Sequence, residues 1–210
     1  YKAGVWVRDS SAGIGTLTFA DTENGTFAGL GHAISDTDTG ASISLLSGEI
    51  VPVTITDCIA GTAGAPGELR GEFSGDEVLG TVLANQDTGV YGRLSGQVSG
   101  TEYPVANMQE VRTGAAQILT TVDGAGPKLY DVRIESVNLN ASDPNRNMLI
   151  RVTDRDLLQK TGGIVQGMSG SPLIQDGMLV GAVTHVLVND SARGYAIFAQ
   201  TMLQAADRVA

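Results

Sequence analysis

Most of the chain is patterned with a period of two. Residues 15–19 (Gly-Thr-Leu-Thr-Phe) alternate polar and apolar positions, a turn cluster over 21–25 ends in Asn24-Gly25, and the apolar-rich run 26–30 follows. This pattern predicts a β-hairpin with His32 just past its second strand. Comparable runs predict strands over 49–56, 78–84, 90–94, 116–122, 128–137 and 148–152. A further strand over 181–188 follows a turn at Asp176-Gly177. Alternation there places Ala182, Thr184, Val186 and Val188 on one face and Val183, His185 and Leu187 on the other.

Two stretches carry helical spacing. Residues 154–160 predict a short helix with Thr153 or Asp154 as its N-cap. Residues 196–209 carry Ile197, Phe198, Thr201, Met202, Ala205 and Val209 on one face, which predicts an amphipathic helix packed on sheet. The Gly, Ala and Pro-rich run from Gly61 to Gly75 reads as a long connecting loop. Many short strands, few helices and a terminal helix predict an all-β body of one or two barrels, with a boundary between Ser95 and Arg112.

Composition narrows the functional classes. At 210 residues with 42% apolar content, the chain can bury a sizeable core. Its net charge of −10 and lack of a basic stripe argue against a nucleic-acid partner. No run approaches the ~20 apolar residues of a membrane span. The chain opens at Tyr1 with no visible signal peptide, so the expectation is an excised domain with targeting elements upstream. The single cysteine, Cys58, has no partner for a disulfide or a thiolate metal site and reads as a half-buried strand residue. His-Glu-x-x-His is missing, and Asp36-Thr37-Asp38-Thr39-Gly40 lacks the later Glu of a calcium loop, so no metal or cofactor is expected.

The chemistry concentrates at Gly167-Met168-Ser169-Gly170-Ser171-Pro172. Glycines around a serine allow a tight backbone whose N–H groups lie beside the hydroxyl and can stabilise an oxyanion. A serine nucleophile needs a base, and the chain holds two histidines, His32 and His185. His32, in Gly29-Leu30-Gly31-His32-Ala33, is the first candidate and His185 the backup. The orienting carboxylate stays open among Asp36, Asp38, Asp76, Asp154, Asp156 and Asp190. A β-barrel binding module with a Gly/Ser turn would instead leave Ser169 and His32 far apart.

These segments resemble the SpoIVB peptidase family of sporulation serine peptidases. The resemblance runs through Gly4-Val5-Trp6-Val7-Arg8-Asp9-Ser10-Ser11-Ala12-Gly13-Ile14-Gly15-Thr16, Leu30-Gly31-His32-Ala33-Ile34-Ser35-Asp36, Thr161 to Pro172, and Gly181-Ala182-Val183-Thr184-His185-Val186. It implies a chymotrypsin-like fold of two β-barrels with a C-terminal helix, the N-terminal barrel over 1–100 holding His32 and the C-terminal barrel over 101–210 holding Ser169. The serine loop is similar to the Gly-Asp-Ser-Gly-Gly-Pro loop of that fold, which selects Ser169 over Ser171 as nucleophile and Gly167 and Ser169 as the oxyanion hole. The family's acid falls on Asp154, fifteen positions before the serine (169 − 154 = 15), with helix capping as its other reading. The implied protein is an exported, extracytoplasmic endopeptidase that cleaves a membrane-anchored regulatory partner and itself. Family members carry a membrane segment and a PDZ domain ahead of the peptidase domain, and neither is expected within this chain. The alternative is a catalytically silent peptide-binding domain on the same fold.

Overall fold

The computed structural model describes residues 12–36, 39–62, 64–73 and 77–209. Thirteen strands and two α-helices are found among them, in two sheet systems and a separate hairpin. The first system is a five-stranded antiparallel sheet of β1 (Leu17–Asp21), β2 (Thr26–Gly29), β3 (Glu49–Ile50), β6 (Gly80–Gln86) and β7 (Gly89–Leu94), in the order β1-β2-β7-β6-β3. The hairpin is β4 (Val53–Ile59) with β5 (Glu68–Phe73). The second system is a closed barrel of β8 (Gly114–Thr120), β9 (Lys128–Val137), β10 (Met148–Val152), β11 (Pro172–Gln175), β12 (Met178–Leu187) and β13 (Asp190–Phe198), in the order β10-β13-β12-β11-β8-β9. The expected chymotrypsin-like all-β body is borne out, with the N-terminal system an open half-barrel and the C-terminal one closed.

The barrel follows from the period-two pattern. Ala116, Ile118 and Thr120 on β8, Tyr130, Val132 and Ile134 on β9, and Met148, Ile150 and Val152 on β10 all point inward and are buried, while their neighbours face outward. All but Thr120 meet Leu173, Val183, Ala196 and Phe198 in one apolar core. Outside, Glu135 on β9 receives Arg151 Nε at 2.7 Å and Arg193 Nε at 2.8 Å, tying β9, β10 and β13 together. The two guanidinium groups, Arg151 first, hold the Glu135 carboxyl below its ordinary range.

Helix α1 (Arg155–Thr161) carries Asp154 as its N-cap. Helix α2 (Ala199–Ala206) is shorter than the expected 196–209. Ala196, Ile197 and Phe198 pair with Val183, Ala182 and Gly181 and complete β13. All three are buried, so the barrel ladder wins over helical spacing at that end. Met202, Ala205 and Ala206 of α2 pack on Ala28 and Tyr91 of the first sheet, so the helix leaves the barrel and clamps the N-terminal system.

The Gly61–Gly75 run is not all loop. Its second half is β5, in register with β4 from Val53↔Phe73 to Ile59↔Glu68, with Leu69 buried in the barrel core cluster. Cys58 lies half-buried on β4, its thiol pushed up by burial and then by Asp57.

Candidate active site

The serine loop over 167–172 is held from both sheet systems. Gly170 N–H donates to Val183 O at 2.7 Å, and Val183 N–H donates to Ser171 O at 3.0 Å, fastening the loop to β12. Thr16 N–H donates to Ser169 O at 2.8 Å, and Thr18 Oγ1 donates to Gly170 O at 2.8 Å, fastening it to the first sheet. Within the loop, Met168 N–H reaches Val165 O and Ser171 N–H reaches Met168 O, a tight double turn over the buried Met168 side chain. Gly167 (φ +96°) and Gly170 (φ +88°) take left-handed values that side chains disfavour.

The loop's carbonyls are therefore engaged, whereas the N–H groups of Gly167 and Ser169 donate to no acceptor among the described residues. Unpaired N–H groups beside a hydroxyl are what an oxyanion hole requires. The two serines are clearly separated. Ser171 is fully buried, its Oγ 3.5 Å from Thr16 Oγ1, while Ser169 lines an open cleft.

That cleft has a volume of about 930 Å³, room for a peptide segment, and both histidines line it. His32 follows Leu30 (φ +66°) and Gly31 (φ +72°), two left-handed residues in succession that swing the chain off the end of β2. Leu30 stores strain there, as residues beside active sites often do. His32 Nδ1 lies 2.8 Å from Ala33 O; with Nδ1–H donating, Nε2 is left free as a base. His185 stands across from it, ring centroids 5.0 Å apart and planes tilted by 38°. Ser169 Oγ donates to Thr184 O at 3.0 Å, so in this state the hydroxyl rests on a carbonyl beside the histidines.

Thr184 also interrupts the expected alternation. The register slips between Val183 and His185, which face Ala196 and Tyr195, so Thr184 is the extra residue of a β-bulge. Its hydroxyl donates to Asn145 O at 2.7 Å, and its carbonyl is freed for Ser169.

Asp154 is placed elsewhere. Its carboxylate accepts Leu157 N–H at 3.0 Å and Asp131 N–H at 3.3 Å, and it does not line the cleft. Burial would raise its pKa, but the N–H groups of Leu157, Asp131 and Asp156 outweigh that and hold it below the usual range. Such a cap contributes about 1 kcal/mol. Of the other carboxylates considered, Asp36 accepts from Thr39, Asp156 pairs with Lys128, and Asp190 pairs with Arg151 and Arg193. Asp38 and Asp76 lie outside the described residues. Two carboxylates that the sequence reading passed over do line the cleft, Asp87 and Asp143. An Asp-Thr-Gly turn between two alternating runs was the available signal for Asp87. No group of three or more His, Cys, Asp or Glu among the described residues is arranged to hold a metal.

The pKa of His185 is lowered, first by desolvation, then by His32 and Arg146, with Asp143 opposing. Protonation is thus harder in the folded protein than in the unfolded chain. Stability is complete above the ordinary value of 6.5 and is lost as pH falls through the lower folded value. The melting temperature should drop as pH falls below about 6.5, and the drop should be smaller in His185→Gln. An equal drop in both proteins would count against this origin.

A family model described as SpoIVB peptidase S55 matches residues 1–203. No curated protein matches the chain. Among solved structures, the chain is similar to the Rv3671c protease of M. tuberculosis in its active form, with 15% identity over 98% of this chain and 94% of that one and a TM-score of 0.47. It is similar to the inactive form of that protease with 17% identity over 75% and 82% and a TM-score of 0.44. The HtrA-type protease AlgW with a decapeptide matches at 16% identity over 75% of this chain and 50% of that one, with a TM-score of 0.48.

Proposed function

The chain belongs to the SpoIVB peptidase family and is a serine endopeptidase; from that premise we propose that Ser169 is its nucleophile and His32 its general base. The observation that supports the reading is the cleft itself, which Ser169, Gly167 and an oriented His32 all line, with the N–H groups of Gly167 and Ser169 unpaired among the described residues. The hydroxyl turns from Thr184 O towards His32, Nε2 takes its proton, and Oγ bonds to the scissile carbonyl carbon. The N–H groups of Gly167 and Ser169 hold the resulting oxyanion. The intermediate collapses by breaking the C–N bond, and His32 returns the proton to the leaving amine. Water then repeats the sequence and frees the acyl group. His185, on β12, borders the bound peptide.

A fluorophosphonate should add to Ser169, with the adduct mapped to the peptide containing that residue. An unreactive protein with a native melt would favour the silent peptide-binding reading. The substrate is proposed to be a membrane-anchored regulatory protein of sporulation, cut on the extracytoplasmic side together with the peptidase itself. Family membership supports this. New protein N-termini in sporulating cells should disappear when Ser169 is replaced; if those that disappear all belong to cytoplasmic proteins, the proposal fails.

A further inference from the structure

We propose that Asp87 is the carboxylate that orients His32 and stabilises its imidazolium, an inference that rests on the Ser169–His32 reading above. Three observations converge on it. The first is register. β2 and β7 pair as Thr26↔Arg93, Phe27↔Gly92, Ala28↔Tyr91 and Gly29↔Val90. The pairing ends there, where Leu30 and Gly31 turn the chain off β2 towards His32, and the β6–β7 turn that carries Asp87 lies just beyond the same end of β7. The topology thus delivers both residues to the same end of the same strand pair.

The second observation is anchorage. Asp87 and Thr88 form the two-residue turn between β6 and β7, closed by Gln86↔Gly89. One residue before that pair, Asn85 grips the segment that carries His32. Its Oδ1 accepts Ile34 N–H at 2.8 Å, and its Nδ2 donates to Ile34 O at 2.9 Å and to Ile43 O at 3.0 Å. Asp87 therefore lies between two fixed joints, Gly29 with Val90 on one side and Ile34 with Asn85 on the other. A turn held this way keeps its side chain near a constant position relative to His32.

The third observation is availability. Asp143, the other cleft carboxylate, already accepts Asn145 N–H at 2.9 Å and pairs with Arg146 Nε at 3.1 Å. Asp154 is committed to the start of α1. Asp87 lines the cleft and makes no hydrogen bond or ion pair to a described residue. An acid with no such bond, on the same cleft as the base, suits a group that acts when the imidazole becomes charged. The Nδ1–H that rests on Ala33 O turns to Asp87 as Nε2 takes the serine proton.

The ionisable groups around His32 in the cleft are His185 from β12, Asp143 ahead of the turn over 144–146, and Asp87. The test is the rate at which a fluorophosphonate labels Ser169 as a function of pH, in the parent, Asp87→Asn, Asp87→Glu and Asp154→Asn, each checked for a native melt. Asp87→Asn should label roughly 10³- to 10⁴-fold more slowly. The pH profile of its labelling should differ in shape from the parent's, because the group facing the base has lost its charge. Asp87→Glu should recover part of the rate, and Asp154→Asn should stay within a few-fold of the parent. Parent-like labelling of Asp87→Asn overturns the proposal. So does a slow Asp87→Asn with an unmoved pH profile, or a loss with the shifted profile in Asp154→Asn. Labelling that persists in Ser169→Ala, or a parent that does not label, removes the Ser169–His32 reading and this inference with it.

Discussion

Ser169→Ala should lower kcat/KM for peptide hydrolysis by roughly 10⁶-fold, about 8 kcal/mol of transition-state stabilisation. The size follows from what the substitution removes. Ser171, two residues on, is not placed to take over: it is fully buried against Thr16 and pinned between Met168 and Val183. The fold should survive, since Ser169 is half-buried and its side chain makes one hydrogen bond among the described residues, to Thr184 O. His32→Ala should bring a comparable loss, and the double variant should be little worse than either, because nucleophile and base act as a unit. Peptidase activity retained in Ser169→Ala would end the assignment. Additive losses in the double variant would show that the two residues do not share a step.

Gly170→Ala should cost about 3–5 kcal/mol of stability, a large part of what holds an ordinary domain together. The new Cβ would lie 2.1 Å from Thr16 O, 2.6 Å from Leu30 N and 3.0 Å from Leu30 Cα, at a residue with φ of +88°. All three obstacles are backbone, so no rotamer change relieves them. The first sheet would have to separate from the nucleophile loop, breaking the Thr16–Ser169 and Thr18–Gly170 bonds. A displacement of about 1 Å at a nucleophile costs roughly 10²-fold, so the folded fraction should also be a poor enzyme. Gly177→Ala is the control. It too has a positive φ, +76°, but nothing lies within 4 Å of its Cβ, so its cost should be about 1 kcal/mol. Equal midpoints for the two variants in chemical denaturation would refute this account.

The C-terminal barrel was the most legible part of the chain. β9 and β10 fall where alternation set them, over 128–137 and 148–152, because their inner faces are uniformly apolar. β13 was not seen because its buried end, Ala196-Ile197-Phe198, packs on both sides and so shows no alternation. β5 was hidden by its glycine and proline-rich lead-in, although Leu69, Gly71 and Phe73 alternate with charged residues. The glycine settings of Ser169 and His32 singled out two residues that both line the cleft, as backbone needs of that kind are local. Carboxylate partners are not local. Asp154 has a distinctive place in the sequence yet caps a helix, while Asp87 sits in an ordinary turn and reaches the cleft only through the pairing of β2 with β7.

The bonds from Thr16 and Thr18 to the nucleophile loop span about 150 residues, with 151 between Thr16 and Gly167 and 152 between Thr18 and Gly170. The loop's other support, Val183, is synthesised later still. A nascent chain therefore displays Thr16 and Thr18 long before the loop they hold exists, and that loop can be fully fastened only once β12 has emerged. The order of synthesis in this way makes the cleft one of the last features to form, since its two walls are drawn from early and late stretches of the described residues.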